Sequence, residues 1–275
     1  MTLKHVGVLG GGRMGAGIAH AFLMTGARVV VVDLDPAAAQ ERIVRDVQKS
    51  LERGASGTLG EYLGRLACVA DSAGFAGCQL VVEAIPENFD MKVSAFRDIA
   101  AAAPGAVIAS NTSSLSVTDL AATVPSPERV IGLHFFNPVP ASKLVEIVVA
   151  DTTSAELVEA ARGWVSDLGK TPIVVKDAPG FASSRLGVAI ALEAIRMVEE
   201  GVATPEDIDN AMVLGYKFPV GPLALTDIVG LDVRLGISEY LASTLGERFE
   251  PPALMREMVA RGELGRKSGK GFYEY

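Results

Sequence analysis

Val6-Gly7-Val8-Leu9-Gly10-Gly11-Gly12-Arg13-Met14-Gly15 opens a run of small and apolar residues to Met24, and Val29-Val30-Val31-Val32-Asp33 follows shortly after. A β-branched run, a glycine-rich turn, a helical pattern and a second β-branched run ending in a carboxylate form one β-α-β unit. Glycines 10, 12 and 15 satisfy G-x-G-x-x-G. That spacing is weak alone, because glycine-rich turns are common; here it follows a strand and opens a helix starting near Met14. Gly10 suits a tight turn, Gly12 the close approach of a pyrophosphate, and Gly15 close packing of helix on strand. Gly11, Arg13 and Met14 complete the loop, and the helix N-terminus offers phosphates free N–H groups and a positive dipole end. Asp33 stands where a carboxylate accepts from the ribose hydroxyls of adenosine. No arginine follows it in Leu34-Asp35, so NAD is expected rather than NADP.

Outward from this unit the alternation continues to Val175. Further candidate strands are Leu80–Ala84, Val107–Ala109, Val130–Leu133, Val145–Val149 and Ile173–Val175, with helical patterns at Pro36–Leu51 and Asn88–Ala102. Continuous Val/Ile/Leu strands separated by amphipathic helices predict an α/β fold: a Rossmann-type, doubly wound, mostly parallel sheet covered on both faces. Thr153 and Glu156 have capping-box spacing for a helix reaching Trp164. After Pro179-Gly180 the β-branched runs stop. Ala182–Glu200 reads as one long helix. Thr204 and Pro205 have the N-cap and first-turn signature of another, and Leu231–Leu245 and Ala253–Arg261 follow. Residues 1–179 are therefore read as a dinucleotide-binding domain and 180–275 as a smaller all-helical domain. No low-complexity linker or internal repeat separates them.

The 275 residues are 49% hydrophobic and 21% charged, enough to build a buried core. No apolar run approaches the roughly 18 residues of a membrane span, and the stretch after Lys4-His5 is too short for a signal-peptide core. A cytoplasmic protein is expected. The net charge of −8 and the lack of a basic stripe argue against a nucleic-acid partner. Cys68 and Cys78 lack metal-ligand spacing, so both are read as core thiols and no metal site is expected.

The chemistry concentrates between Ser110 and Glu146: Ser110-Asn111-Thr112-Ser113-Ser114, then His134-Phe135-Phe136-Asn137-Pro138, then Lys143-Leu144-Val145-Glu146. Removing a proton from an alcohol near neutral pH calls for a histidine base. Of the three histidines, His5 precedes the first strand and His20 lies on the first helix. His134 ends a strand, at the edge where open α/β sheets bind their ligands. Glu146 could orient it, although twelve extended residues span about 40 Å. The chain must therefore turn back, and Asn137-Pro138-Val139-Pro140 is suitable material. Apolar neighbours on both sides give Glu146 an inner position that needs a partner.

The Ser-Asn-Thr-Ser-Ser and His-Phe-Phe-Asn-Pro blocks resemble the 3-hydroxyacyl-CoA dehydrogenase family, which includes 3-hydroxybutyryl-CoA dehydrogenases. The resemblance runs over nearly the whole chain. It implies reversible NAD-dependent oxidation of a short 3-hydroxyacyl-CoA to the 3-ketoacyl-CoA, in fatty-acid and butanoate metabolism, by a homodimer joined through its helical half. It also implies that Ser113 stands between cofactor and substrate and that Glu87, Lys92, Ser113 and Asn137 lie along the NAD site. Lys267, in the tail Gly265-Arg266-Lys267-Ser268-Gly269-Lys270-Gly271, would approach the cofactor; the tail itself fails the P-loop spacing. Ser50 matches a CoA-contacting serine. Two departures stand out: Ser184 replaces the asparagine usual in the substrate region, and Gly54–Gly60 lacks a lysine for the CoA phosphates. Two other readings are a dehydrogenase of a free hydroxy acid, sugar acid or carnitine-like alcohol, and a non-catalytic NAD-binding protein. The latter has no need of Ser113, His134 and Glu146 together.

Overall fold

The β-branched runs become eight strands in a computed structural model that describes residues 2–275. They are β1 (His5–Leu9), β2 (Arg28–Val32), β3 (Leu66–Val69), β4 (Leu80–Glu83), β5 (Val107–Ser110), β6 (Val130–Phe135), β7 (Leu144–Val149) and β8 (Thr171–Lys176). One sheet holds them in the order β3-β2-β1-β4-β5-β6-β7-β8. The first six are parallel, β7 runs antiparallel to β6, and β8 pairs parallel with β7. The mostly parallel α/β sheet is as the sequence predicts. Only β3 escapes the pattern, because it is a half-exposed edge strand of four residues carrying Ala67 and Cys68.

Six helices accompany these strands: α1 (Arg13–Met24), α2 (Pro36–Glu52), α3 (Leu59–Leu63), α4 (Phe89–Ala102), α5 (Val117–Ala121) and α6 (Ala155–Asp167). Val6, Val8, Val31, Leu80 and Val82 are fully buried beneath α1 and α2 residues such as Ile18, Leu23, Ile43 and Val47. Each such side chain contributes about 1.5–3 kcal/mol when withdrawn from water. Side chains also fix the helix starts: Asp35 caps α2, Asn88 caps α4 and Ser116 caps α5. The start of α6 corrects the sequence reading. Ser154, not Thr153, accepts from the Leu157 N–H. The Thr153 hydroxyl is instead donated to the Val130 carbonyl, which ties the start of the helix to β6.

Register aligns the carboxyl edge of the sheet. Val32, Leu9, Glu83, Ser110 and Gly132 are successive partners across β2, β1, β4, β5 and β6. Asp33, the glycine loop, Glu87, Ser113 and His134 all follow just beyond that row, at the carboxyl ends. The strand order reverses between β1 and β4, the switch point where such sheets open a ligand crevice.

The chain divides into two compact units, Met1–Ala178 and Pro179–Tyr275. The second is helical: α7 (Ser183–Glu199), α8 (Pro205–Asn210) running into a π-helical turn at Ala211–Gly215, α9 (Pro222–Val229), α10 (Leu231–Leu245) and α11 (Ala253–Ala260). Thr204 caps α8 with Pro205 in its first turn. Val188, Leu192, Ile195, Leu223, Leu241 and Met255 form its core. The glycine-rich tail has a structural explanation here. The Asp227 carboxylate accepts from the Phe272 and Tyr273 N–H groups and from the Tyr275 hydroxyl. A Cβ on Gly271 would overlap that carboxylate, so glycine is required for the tail to dock. Among the described residues, no helix is long and apolar enough to cross a membrane, and no group of His, Cys, Asp and Glu could hold a metal ion.

Candidate active site

The glycine loop is shaped by two different demands. Gly10 has φ +93°, in the region that favours glycine, and a Cβ on Gly15 would overlap the Gly10 carbonyl oxygen. Both are required by the fold. Gly12 is not: its φ is −64°, and a Cβ there would meet no protein atom within 4 Å. It is also the N-cap of α1, which carries no capping side chain and no acid in its first turn. The N–H groups and positive dipole end of α1 thus face a space that only a backbone without side chain keeps clear. Asp33 stands beside it, accepting from the Gly11 N–H at 2.5 Å and the Asp35 N–H at 2.8 Å. These residues fit a dinucleotide: an uncapped helix start for the pyrophosphate, and a carboxylate at the end of β2 for a ribose.

A charged network lies under the next loop. Glu83, fully buried at the end of β4, accepts Lys92 Nζ at 2.5 Å and the Ser110 hydroxyl at 2.7 Å. Lys92 is 1% exposed, so its role is to hold protein groups: besides Glu83 it bonds the Ile85 carbonyl and reaches Glu87 at 3.4 Å. Glu87 in turn accepts from the Thr112 hydroxyl at 2.6 Å, the Ser113 N–H at 3.0 Å and the Ser114 N–H at 3.1 Å. Burial opposes its ionisation, but the Thr112 hydroxyl, the Lys92 ammonium and the Ser113 and Ser114 bonds outweigh it and hold its carboxyl below the usual range. The Ser113 hydroxyl is consequently fixed at the mouth of β5, 3.4 Å from Glu87 Oε1.

His134 and Glu146 are direct partners across the antiparallel pair β6–β7, so their side chains leave the sheet on the same face. His134 Nδ1 is 2.7 Å from Glu146 Oε2, with His134 7% exposed and Glu146 fully buried. The turn the sequence required lies between the two strands, and Lys170 Nζ anchors it by donating to the Val139 and Ser142 carbonyls. Phe136 packs on the imidazole with ring centroids 4.5 Å apart. Asn111 fastens the strand end, its side-chain oxygen accepting from the Phe135 N–H at 2.9 Å.

Alongside α1 and α2 runs a cleft of about 630 Å³. Arg13, Arg42, Arg45, Lys49 and Arg53 line it together with Ser50, Asn137 and one acid, Asp46. Among the described residues none of the five cations makes an ion pair, in a chain whose net charge is −8. Arg42 is a cation near the glycine loop that reading only Leu34-Asp35 after Asp33 does not reach. It lies seven residues beyond Asp35, two helical turns into α2, and donates to the Gly11 carbonyl at 3.2 Å. In the second unit, Lys267 Nζ bonds Asp232 at 2.6 Å, and Ser184 lies in the first turn of α7.

Sequence reasoning singled out the block holding Ser110, Asn111 and Thr112 without giving these three a role, and passed over Glu83 and Arg42. Glu83 had a readable signal: a carboxylate closing the apolar strand Leu80-Val81-Val82 needs a cation, and Lys92 is the first one downstream.

A dinucleotide cradle at the switch point and a carboxylate-supported histidine at the same sheet edge describe an NAD-dependent oxidoreductase acting on an alcohol. Comparison with known proteins narrows the class. The model of the 3-hydroxyacyl-CoA dehydrogenase NAD binding domain matches residues 5–178, and that of the family's C-terminal domain matches 180–275. A probable 3-hydroxybutyryl-CoA dehydrogenase of Deinococcus radiodurans is 44% identical, over 98% of this chain and 99% of that protein. The mitochondrial hydroxyacyl-coenzyme A dehydrogenase of Sus scrofa is 40% identical, over all of this chain and 92% of the relative. Among solved structures, (S)-3-hydroxybutyryl-CoA dehydrogenase from Ralstonia eutropha superposes with a TM-score of 0.93 at 41% identity, covering 99% of each chain. The chain belongs to the 3-hydroxyacyl-CoA dehydrogenase family, and its cofactor is NAD.

Proposed function

We propose that the protein oxidises the C3 hydroxyl of a short-chain 3-hydroxyacyl-CoA, reversibly, with His134 as general base. The observation that carries this reading is the buried Glu146 carboxylate 2.7 Å from His134 Nδ1, at the carboxyl edge of the sheet. A carboxylate can only accept, so Nδ1 carries the proton and Nε2 presents the lone pair. Nε2 takes the proton of the C3 hydroxyl, and Glu146 stabilises the resulting imidazolium in a site shielded from water. When bound, NAD supplies the acceptor for the hydride that leaves C3. In reduction the same nitrogen returns the proton. Ser113, held by Glu87, hydrogen-bonds the substrate oxygen. Gly10 to Gly15 and Asp33 hold the dinucleotide, with Glu87 and Asn137 beside it and Lys92 supporting Glu87 from below. Lys267 and Ser184 are proposed as cofactor and substrate contacts on the family resemblance.

The cleft along α2 favours a CoA thioester over a free hydroxy acid. Five cations with no ion pair among the described residues, against one carboxylate, suit a polyanionic carrier, and they make good the lysine missing from Gly54–Gly60. Relatives named for 3-hydroxybutyryl-CoA support a four-carbon acyl group. We further propose a homodimer through the helical unit, where Leu225, Ile228, Val229 and Val233 of α9 and α10 are exposed together. Ile228→Glu with Val233→Glu should then give monomers by light scattering; a persisting dimer would locate the interface elsewhere. The unbridged thiols of Cys68 and Cys78 suit a reducing cytoplasm.

The deciding assay is NAD reduction with 3-hydroxybutyryl-CoA against free 3-hydroxybutyrate and carnitine. The CoA thioester should lead by at least about a hundredfold in kcat/KM, or roughly 3 kcal/mol. Parity with the free acids would overturn the CoA reading, and absence of turnover with all of them would favour a non-catalytic NAD-binding role.

A further inference from the structure

His20, on α1, is one of three histidines and is not part of the chemistry above, yet it is 4% exposed and bonded to the substrate cleft. Its Nε2 lies 2.8 Å from Ser50 Oγ on α2. Its Nδ1 is buried and has no hydrogen-bond partner among the described residues. Ser50 lines the cleft between Lys49 and Arg53, and its hydroxyl has no other hydrogen-bond partner among the described residues.

These contacts fix where the protons are. An imidazole with one bonded and one unbonded nitrogen places its proton on the bonded one, because a buried N–H without an acceptor costs more than a buried lone pair left bare. His20 Nε2–H therefore donates to Ser50 Oγ. The serine oxygen is used as an acceptor, and its own proton remains to be given to a group in the cleft. A protonated ring would add a second N–H at Nδ1 with nothing to receive it. Burial lowers the pKa of His20; the Asp46 carboxylate opposes this and the Lys170 ammonium adds to it, so the neutral ring is favoured.

We propose that His20 is a positioning residue of the substrate site, holding Ser50 so that its hydroxyl donates to the CoA portion of the substrate among the cations of α2. This rests on the reading that the cleft takes CoA. The acyl group reacts elsewhere, so His20 should govern how the carrier is bound and leave the chemical step alone.

The test compares 3-hydroxybutyryl-CoA with the N-acetylcysteamine thioester of the same acid, which keeps the reacting end and lacks the nucleotide. The parent should have a much lower KM for the CoA thioester. His20→Leu should raise that KM about five- to tenfold, the loss of about one hydrogen bond, with kcat and the short thioester unchanged. Ser50→Ala should do the same, and the double variant should be no worse than either single one. His20→Gln, whose amide N–H can take the place of Nε2–H, should restore the parent KM. It also keeps the test open if His20→Leu folds poorly. An unchanged KM in His20→Leu, an equal rise for both thioesters, or additive effects in the double variant would overturn the assignment of His20 alone. Equal KM values of the parent for the two thioesters would overturn the CoA reading and, with it, this assignment.

Discussion

Glu146→Gln separates electrostatic support of the base from packing. Glutamine keeps the length and volume of the side chain, and its amide oxygen can still accept from Nδ1. What it removes is the negative charge. As His134 takes the substrate proton the ring becomes cationic. With Nδ1 and Oε2 2.7 Å apart, the two charges centre about 4 Å from each other. At an effective dielectric constant of about 20 that attraction amounts to roughly 4 kcal/mol. About 1 kcal/mol of it is already present as the ground-state hydrogen bond. The remaining ~3 kcal/mol acts only on the transition state, so kcat should fall about a hundredfold. Stability should hold or rise, because a fully buried charge has become a neutral group. Steady-state kcat with both substrates saturating, read beside a thermal melt, gives both quantities. A kcat within about threefold of the parent would refute the pairing. A fall in Tm that accounts for the lost rate would make Glu146 a packing residue instead.

The cofactor site and its supports give three more expectations. Gly12→Ala should fold with the parent Tm while weakening NAD about tenfold or more, because its Cβ meets no protein atom, whereas Gly15→Ala should lose stability as well because its Cβ meets the Gly10 carbonyl; a Gly12→Ala variant that binds NAD normally by calorimetry would refute the cradle. NAD should lead NADP by about a hundredfold in kcat/KM through like-charge repulsion at Asp33, with Asp33→Ala shrinking the ratio and Arg42→Ala enlarging it. Equal values in the parent would mean that Arg42 outweighs Asp33. Glu87 has a folded-state pKa below its unfolded one, so its contribution is fully present above about pH 4.5 and is lost as pH falls through the folded value. With Glu87 36% exposed, screening limits the destabilisation by Glu87→Gln to about 1 kcal/mol at pH 7. In urea melts that difference should shrink on acidification below about pH 4.5; a gap that widens there would refute the sign.

The cofactor half was legible because its signals are local. Gly10–Gly15 and Val29–Asp33 fix a turn, a helix start and a strand end within 24 residues, and period and glycine placement suffice to read them. The His134–Glu146 pair was half legible. An ionisable residue inside each of two apolar runs announced that His134 and Glu146 were buried and needed partners, but their contact depends on β7 turning back on β6, a register no residue spells out alone. The Glu83–Lys92–Glu87 network was harder still. It joins β4, α4 and the loop after β5, and a lysine near a helix start reads as solvated until the sheet covers it. Arg42 was hidden because reading along the chain after Asp33 ignores what two turns of α2 bring back over the glycine loop. Edge strand β3 failed for composition: Leu-Ala-Cys-Val offers little β-branching and no clean alternation.

The central claim is that His134 carries the proton of the alcohol, and replacing it measures that most directly. His134→Ala should cut kcat for 3-hydroxybutyryl-CoA by about 10²–10⁴-fold, the usual worth of a general base, with absorbance of the reduced cofactor as the readout. NAD affinity measured by calorimetry on the same preparation should stay within about twofold of the parent, because the cradle is built from Gly10–Gly15 and Asp33. Near-parent kcat at saturating substrate would contradict the account and remove His134 as the base.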